Sequence, residues 1–201
     1  MPPPKPKKKR RRSEIVTEPP YEEMTLLGRG DEGEVFKAKN QDGQEIALKK
    51  IEVDGWASLW TKYREYFYGS QIEHESIVRY YQCKQLQFDL YFEMEICETS
   101  LLNRFLKGAV PIEDTERYFV DLLLGLEYLH ANDLLHRDIK PSNVLLIDGK
   151  CKLADLGLLI HKQDSNFNSS SGGSGCYLDP AYLNRGDGSP FTFQSDIFSL
   201  G

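Results

Sequence analysis

The stretch LLHRDIKPSN, residues 134–143, brings a carboxylic acid, a lysine and an amide close together directly after a leucine-rich segment. Asp138 could accept a proton from a hydroxyl group, Lys140 could neutralise phosphate charge, and Asn143 could offer an amide oxygen to Mg²⁺. Charged groups are costly near a core unless they are paired or carry chemistry. The spacing therefore indicates a site that handles phosphate.

A glycine cluster in LLGRGDEGEV leaves three interpretations open on its own residues. Gly28, Gly30 and Gly33 could form a dinucleotide-binding turn, but that turn requires a helix immediately afterwards. The alternation of EVFKAKN is typical of a strand, so the glycines join two antiparallel strands. Such a hairpin could cover phosphate groups, because glycine lets backbone amides approach them closely. A plain glycine hairpin fits this stretch equally well.

Three further charged residues stand at the ends or on the faces of predicted elements. Lys49 ends the apolar strand IALK, and Glu65 lies sixteen residues later in a predicted helix. Lys49 could simply extend to solvent, and a lysine–glutamate pair is commonly a surface ion pair of little energetic worth. Alternatively, Glu65 holds the Lys49 ammonium against phosphate oxygens. Asp155, in LADLGL, follows an apolar strand and could ligate Mg²⁺.

These motifs, in this order from about Tyr21 to Gly201, resemble those of the protein kinase family. The resemblance implies ATP as substrate, Mg²⁺ as cofactor and the γ-phosphoryl group as the group transferred to a protein. It implies Asp138 as catalytic base with Lys140 beside it, Lys49 as the lysine that binds the α- and β-phosphates, and Glu65 as its helix partner. Asn143 and Asp155 match the metal ligands.

The resemblance also implies an adenine site. The glycines Gly28, Gly30 and Gly33 match the lid over ATP, and Val35, Ala47 and Leu145 match the apolar positions around adenine. Met94 matches the residue at the back of the adenine pocket, and the Glu95 and Cys97 backbones match those that face the adenine edge. Arg137 matches an arginine that reads a phosphate on the activation segment in many kinases.

The order of elements predicts an α+β chain, because strands dominate before about residue 97 and helices after it. The resemblance implies a two-lobed protein-kinase-like fold. We expect a disordered basic tail at 1–20, an N-terminal lobe with an antiparallel sheet, one helix and the hinge at 21–97, and an incomplete helical C-terminal lobe at 98–201. The helix within ASLWTKYREYFYGSQIEH is expected to extend towards His74.

Two features favour serine or threonine as the phosphate acceptor. Lys140 stands two residues after Asp138, which resembles the serine/threonine type, and Ser174 falls where such kinases place a hydroxyl near the catalytic acid. The loop SNFNSSSGGS contains Ser165, Ser169, Ser170 and Ser171. A phosphate on one of them could pair with Arg137 and order the loop.

Three substitutions depart from the family pattern. Leu156 replaces the usual phenylalanine and should fill the same apolar position. Gly69, four residues after Glu65, replaces a large apolar residue, so we expect a gap in the packing and a mobile helix. Ala181 replaces a glutamate, so we expect its segment to be less firmly anchored. Gly69 and Ala181, together with the end of the sequence at Gly201, favour an alternative function, a pseudokinase or regulatory scaffold that binds nucleotide or partners without catalysis, whereas Lys49, Asp138, Asn143 and Asp155 argue against it.

The segment SDIFSLG resembles the beginning of the central helix of the helical lobe, with Asp196 supporting the catalytic loop. The sequence given stops at Gly201. We therefore expect the helix at 113–130 to expose an apolar face and these 201 residues alone to show little kinase activity.

Composition limits where the protein works and what it binds. The net charge is −6, and residues 1–12 contribute +7 without an acid, which leaves −13 for the remainder. The basic tail makes an import receptor a candidate partner, whereas the acidic body argues against general nucleic-acid binding. Four scattered cysteines indicate a reducing compartment, and no long apolar run predicts a membrane span. We expect an intracellular protein, cytoplasmic or nuclear.

Overall fold

The computed structural model describes residues 21–30, 33–164, 173, 175–183 and 191–201; four of these, Trp56, Ala57, Asp164 and Leu183, are described only in their backbone. The basic tail, Ser174 and the four loop serines therefore lie outside the described residues. None of the described helices has both the length and the apolar character needed to cross a membrane.

The first half of the chain forms a five-stranded antiparallel sheet. Its strands are β1 (Glu22–Gly30), β2 (Gly33–Lys39), β3 (Glu45–Glu52), β4 (Tyr80–Leu86) and β5 (Asp89–Met94), in the order β1-β2-β3-β5-β4. The predicted QDGQ turn joins β2 to β3, where the Asn40 side chain accepts hydrogen bonds from the backbone of Asp42 and Gln44. This short-range bonding is why asparagine favours turns.

One helix, α1 (Trp56–Gly69), packs against this sheet. It ends at Gly69, so the expected extension towards His74 is wrong. Glycine is a poor helix former, and the backbone of Ser70 closes the helix by donating to the Tyr66 carbonyl. The residues that follow turn away to reach β4.

The described residues of the second half form four α-helices, three of them short, and five short strands. The helices are α2 (Leu101–Leu106), α3 (Ile112–Ala131), α4 (Pro180–Leu183) and α5 (Phe193–Leu200); the strands are β6 (Thr99–Ser100), β7 (Leu134–Leu135), β8 (Val144–Ile147), β9 (Lys150–Leu153) and β10 (Ile160–His161). The order β6-β8-β9 forms one small sheet, and β7 pairs with β10. The α3 residues Leu122, Leu126 and Leu129 are buried at the spacing of a helix face.

A continuous apolar core joins the two halves. It extends from Ile51 and Phe92 in the large sheet to Leu126 in α3 and Leu153 in β9. Another face of α3 is not covered by the described residues, and the side chains of Phe119, Val120, Leu123 and Leu124 are about half exposed. The expected exposed apolar face is therefore present.

Candidate active site

Lys49 lies at the centre of the charged cleft. Its ammonium nitrogen is 2.9 and 3.0 Å from the two carboxylate oxygens of Glu65 and 2.8 Å from Oδ1 of Asp155. The Tyr80 hydroxyl donates to Oε1 of Glu65 at 2.7 Å. Lys49 and Glu65 are almost completely buried, whereas the Asp155 side chain keeps 37% of its surface exposed. The predicted lysine–glutamate pair is therefore a buried ion pair and not a surface one.

The two carboxylates of this cluster ionise differently. Burial raises the pKa of Glu65, although the Lys49 ammonium acts in the opposite direction. Burial also acts to raise the pKa of Asp155, but Lys49 outweighs it and holds the pKa below its usual value. Asp155 therefore remains an anion under conditions that begin to protonate Glu65.

Asp138 is held by two neighbours from its own loop. Lys140 Nζ and Asn143 Nδ2 each lie 2.7 Å from Oδ2 of Asp138, and the Asn143 amide also donates to the Asp138 carbonyl at 3.0 Å. These contacts keep the Asp138 carboxylate in one orientation. They also turn the Nδ2 of Asn143 towards Asp138, while its Oδ1 accepts a hydrogen bond from the Ser142 hydroxyl at 3.4 Å and, as an amide oxygen, can take a second partner.

A buried carboxylate fixes the backbone of this loop. Asp196, at the beginning of α5, accepts hydrogen bonds from the backbone N–H of His136 at 3.0 Å and of Arg137 at 2.8 Å. Arg137 adopts a positive φ of 72°, which is unfavourable for any residue other than glycine unless its surroundings hold it there. The structure thus contains the support expected from Asp196.

Backbone contacts join the Lys49 cluster (Lys49, Glu65 and Asp155) to the Asp138 cluster (Asp138, Lys140 and Asn143). The N–H of Ala154 donates to the carbonyl of Asn143 at 2.8 Å, and the His136 ring contacts the Ala154 carbonyl at 3.2 Å. Asp155 follows directly, with a φ of 60° in the left-handed region. Residues that lie far apart in the sequence therefore meet in one cleft.

The sheet register places the expected adenine-binding residues on the same face as Lys49. Val35 lies opposite Lys49, and Ala47 lies opposite Met94. Directly opposed residues share a face, as do residues two positions apart. Leu145 packs against the same core from β8.

The three glycines occupy the tip of the β1–β2 hairpin, where Gly30 pairs with Gly33 and Gly28 pairs with Val35. This arrangement excludes the dinucleotide-binding turn, which needs a helix in place of β2. Gly33 has a φ of 147°, and a Cβ atom there would lie 2.1 Å from the Lys50 carbonyl oxygen. Only glycine fits this position without a backbone shift.

The segment after β5 contains two backbone groups that are candidates to bind a ligand. Glu95 uses its N–H to bond the Arg79 carbonyl, and its side chain binds Lys152 at 2.8 Å. Among the described residues, the Glu95 carbonyl and the Cys97 N–H have no backbone partner. Burial raises the pKa of Cys97 to about 12, so its thiol is neutral.

Asn143 and Asp155 fit a magnesium ion. Asp155 supplies a partly exposed anionic oxygen, and Asn143 supplies an amide oxygen that accepts one hydrogen bond, from Ser142, and has a second lone pair for a metal. Across the parts of the chain that are described, no three His, Cys, Asp or Glu side chains are arranged to hold a metal. Mg²⁺ commonly uses one or two protein side chains, water and substrate phosphates, so two ligands are sufficient.

The gap expected beside Gly69 is not present. A Cβ atom on Gly69 would lie only 2.8 Å from Cδ2 of the Tyr80 ring, so the ring occupies the space. The expectation was wrong because it considered α1 alone, whereas the large side chain comes from β4. Leu156, in contrast, is fully buried in the apolar position expected for it.

The segment with Ala181 has a different set of contacts. Asp179 accepts a hydrogen bond from the Ala181 N–H at 2.8 Å and one from the Ser195 hydroxyl of α5 at 3.4 Å. The described residues therefore link this segment to α5 without a glutamate at 181. Sequence reasoning missed Asp179 and Tyr80, since each acts through a residue distant in the chain.

The comparison with protein families agrees with this geometry. Residues 21–201 match the family model of the protein kinase domain, and the chain belongs to that family. The predicted α+β fold, with a five-stranded antiparallel sheet before a helical part, is thereby confirmed.

The relatives include two groups of kinases that match most of the chain. The chain is 40% identical over 88% of its length to the membrane-associated tyrosine- and threonine-specific cdc2-inhibitory kinase wee-1.3 of Caenorhabditis elegans, covering 26% of that protein. It is 34% identical to the Drosophila melanogaster membrane-associated tyrosine- and threonine-specific cdc2-inhibitory kinase, covering 90% of the chain and 34% of that protein. Mitogen-activated protein kinase kinase kinase 1 of Arabidopsis thaliana is 32% identical, with 90% and 31% covered. The chain therefore spans about a third or less of the length of each of these relatives.

Proposed function

We propose that this chain is an ATP- and Mg²⁺-dependent protein kinase domain that transfers the γ-phosphoryl group of ATP to a side-chain hydroxyl of a protein. The observation that carries the proposal is the position of Lys49, whose ammonium touches both the buried Glu65 and the partly exposed Asp155. A lysine held in this way has its charge fixed at the inner end of the cleft and needs little reorganisation to bind a phosphate.

The residues of the cleft have separable roles in this proposal. Lys49 binds the α- and β-phosphates, and Glu65 fixes its orientation. Asp138 accepts the proton as the acceptor oxygen forms its bond to the γ-phosphorus. The bond from that phosphorus to the bridging oxygen breaks, and the electron pair remains on ADP. Lys140 balances the negative charge that spreads over the transferred group.

Asn143 and Asp155 are the residues that would hold Mg²⁺. The ion, when bound, supplies positive charge that offsets the negative charge of the phosphates. The backbones of Glu95 and Cys97 would bind the adenine edge, the first as acceptor and the second as donor. Val35, Ala47 and Leu145 would enclose the adenine ring between the two parts of the fold.

Serine or threonine is the acceptor that we favour, because Lys140 beside Asp138 is the arrangement found in serine/threonine kinases. Tyrosine is the second candidate. The relatives from Caenorhabditis elegans and Drosophila melanogaster are described as tyrosine- and threonine-specific, which supports it. Three peptides that differ only in a serine, threonine or tyrosine acceptor would separate these alternatives.

Several predictions on other parts of the chain accompany this proposal. The division into a tail at 1–20, a first lobe at 21–97 and a second lobe at 98–201 remains a proposal, as do an intracellular location and an import receptor for the tail. Arg137 is a candidate to bind a phosphate on the following loop. It is buried, and the chain returns close to its carbonyl oxygen at Gly173.

Binding of MgATP to the purified chain tests the proposal, with phosphate transfer to a protein mixture measured in parallel. Lys49→Met and Asp155→Asn should weaken binding at least tenfold, since each removes a charge-assisted contact to phosphate or metal. The matched control is Lys37→Met, which removes an exposed lysine of the neighbouring strand.

Unchanged binding in both cleft variants would contradict the proposal. Binding through these residues without measurable transfer would support the pseudokinase alternative.

A further inference from the structure

We propose that Tyr80 is a positioning residue that holds Glu65 in the orientation needed to pair with Lys49, and that position 69 is glycine because the Tyr80 ring requires its space. The inference rests on the proposed role of Lys49 in binding phosphate. It assigns a function in that site to one residue of β4 and one of α1.

The first observation is the hydrogen bond at Glu65. The Tyr80 hydroxyl donates to Oε1 of Glu65 at 2.7 Å, and the same oxygen lies 2.9 Å from Lys49 Nζ. Tyr80 and Glu65 are both buried, so solvent cannot replace the donor. Burial, followed by the Glu65 charge, raises the pKa of Tyr80 well above its ordinary value, so the hydroxyl keeps its proton.

The second observation is the space beside α1. A Cβ atom on Gly69 would lie 2.8 Å from Cδ2 and 2.9 Å from Cγ of Tyr80. Contacts this short force one group to move, and a ring packed on Phe92 at 6.2 Å between centroids has little freedom. Glycine at 69 therefore lets the Tyr80 ring lie against α1 directly beside the turn that carries Glu65.

The consequence for the ion pair follows from the groups that face Glu65. These are the Lys49 ammonium from β3, the Tyr80 hydroxyl and Cys83 thiol from β4, and the Asp155 carboxylate that follows β9. Burial and Asp155 both favour the protonated form of Glu65, whereas Lys49 and the Tyr80 hydroxyl favour the charged form. Without the hydroxyl, Lys49 alone favours the charged form of Glu65, so the pKa of Glu65 should rise.

The direct test is a titration of Glu65 in the whole 201-residue chain by NMR, with ¹³C in the glutamate carboxyl carbons. Glu65→Gln identifies the resonance by its loss. In Tyr80→Phe, the ring remains and only the hydroxyl is removed, so Glu65 should titrate at a higher pH than in the wild type. A merely structural role of the ring would not produce this shift.

The matched control is Tyr66→Phe. Tyr66 also packs on Phe92, with ring centroids 5.8 Å apart, but its hydroxyl is directed to the backbone of Cys83 and not to Glu65. Its removal should leave the titration of Glu65 unchanged.

The functional readout is the affinity for MgATP. Tyr80→Phe should weaken it about fivefold at neutral pH, the loss expected when a hydrogen bond to a charged group no longer fixes the pair. The difference from the wild type should grow as the pH falls, because Glu65 becomes protonated earlier.

Gly69→Ala provides an independent variant, because it keeps the hydroxyl and displaces the ring. It should weaken MgATP binding in the same direction and shift Glu65 in the same direction. In the double variant, the loss should be smaller than the sum of the two single losses, because the hydroxyl bond can be broken only once. Should Tyr80→Phe fail to fold, Gly69→Ala provides both measurements.

An unchanged titration midpoint of Glu65 together with unchanged MgATP affinity in Tyr80→Phe would overturn the role of Tyr80. Additive losses in the double variant would overturn the role of Gly69. Failure of the proposed function is recognised separately, since Lys49→Met would then leave MgATP affinity unchanged, whereas the titration of Glu65 needs no nucleotide.

Discussion

Glu65 and Asp155 show at the scale of single residues how two carboxylates on one ammonium can behave differently. Both lie within 3.0 Å of Lys49 Nζ, yet Glu65 is fully enclosed and Asp155 faces the open cleft. Burial raises the pKa of Glu65, whereas the charge of Lys49 keeps the pKa of Asp155 low. The acid limit of the site is therefore set by Glu65.

This difference predicts the pH dependence of nucleotide binding. A carboxyl group with a raised pKa loses its negative charge as the pH falls through that pKa. MgATP affinity should therefore decline on the acid side while Asp155 is still charged. Glu65→Gln should bind MgATP more weakly at neutral pH and show a flatter acid limb. The exposed Glu45→Gln is the control, and its profile should follow the wild type. A wild-type acid limb in Glu65→Gln would refute the assignment.

Asp138→Asn separates catalysis from binding. The amide cannot accept the proton of the acceptor hydroxyl, so the rate of transfer should fall about 10²- to 10⁴-fold. The affinity for MgATP should change little, since the proposed phosphate and metal contacts belong to Lys49, Asn143 and Asp155. Equal losses in rate and in affinity would show that Asp138 acts through binding.

Asp138, Lys140, Asn143 and Asp155 could be singled out because each stands in a short motif with a characteristic spacing, and Glu65 because the family resemblance pairs it with Lys49. His136, Arg137 and Asp138 are adjacent, and Asn143 follows five residues after Asp138. Tyr80 could not be predicted in the same way, since its partner Glu65 is fifteen residues away on another element. No local sequence pattern indicates that the Tyr80 hydroxyl of β4 donates a hydrogen bond to Glu65 of α1.

At the scale of elements, Gly30 and Gly33 of the β1–β2 hairpin have different surroundings. A Cβ atom at Gly33 would collide with the Lys50 carbonyl, whereas one at Gly30 would meet nothing within 4 Å. Gly33→Ala should therefore destabilise the chain by about 1–3 kcal/mol, the usual cost of a strained backbone position. Gly30→Ala should stay within about 0.5 kcal/mol.

Urea unfolding followed by circular dichroism measures both hairpin variants. Equal stabilities would show that the hairpin backbone relaxes at no cost and would contradict the close contact at Gly33.

Helix α5 begins with a buried acid that supports the loop carrying Asp138. Asp196 accepts two backbone hydrogen bonds and contacts the His130 ring at 3.0 Å, so Asp196→Ala leaves these donors buried without a partner. We expect a loss of about 3 kcal/mol in the free energy of unfolding. Asp114→Ala, at an exposed ion pair of α3, is the control with an expected change of about 0.5 kcal/mol or less. A similar cost for both variants would contradict the supporting role.

The elements were predicted well where hydrophobic periodicity or turn residues mark them, as in β1, β2 and α3. The end of α1 was not, because the residues after Gly69 continue a pattern that a helix could accommodate. Their path is decided by tertiary contacts, in which the Val78 N–H donates to the Leu153 carbonyl. Such long-range pairing stabilises the observed path more than the local helix propensity favours a longer helix.

At the scale of the whole molecule, α3 and α5 leave apolar side chains uncovered by the described residues. Phe119, Val120, Leu124, Ile197 and Phe198 are each about 41–53% exposed. Apolar area of this kind drives association in water. The 201-residue chain should therefore self-associate as its concentration rises, which light scattering after size-exclusion chromatography would detect.

The double variant Val120→Lys/Leu124→Glu should shift the chain towards the monomer, while the exposed but isolated Phe88→Lys should not. A monomeric wild type at about 100 μM, a concentration at which weak interfaces form, would contradict the prediction.

The fold class was predictable because strands precede helices, but the way the two parts meet was not, since it depends on contacts between distant segments.

The segment between α1 and β4 belongs structurally to the helical part. The Ser76 carbonyl accepts from the Leu153 N–H at 2.8 Å, and a Cβ atom on Gly125 of α3 would lie 2.9 Å from that same carbonyl oxygen. The large sheet is reached again at Arg79, whose carbonyl accepts from the Glu95 N–H. Two crossings of the backbone are thus hydrogen-bonded to the parts they connect, at the place where the large sheet meets the helices. The relative position of Lys49 in the sheet and Asp155 beyond β9 therefore depends on backbone hydrogen bonds at this junction as well as on their own ion pair.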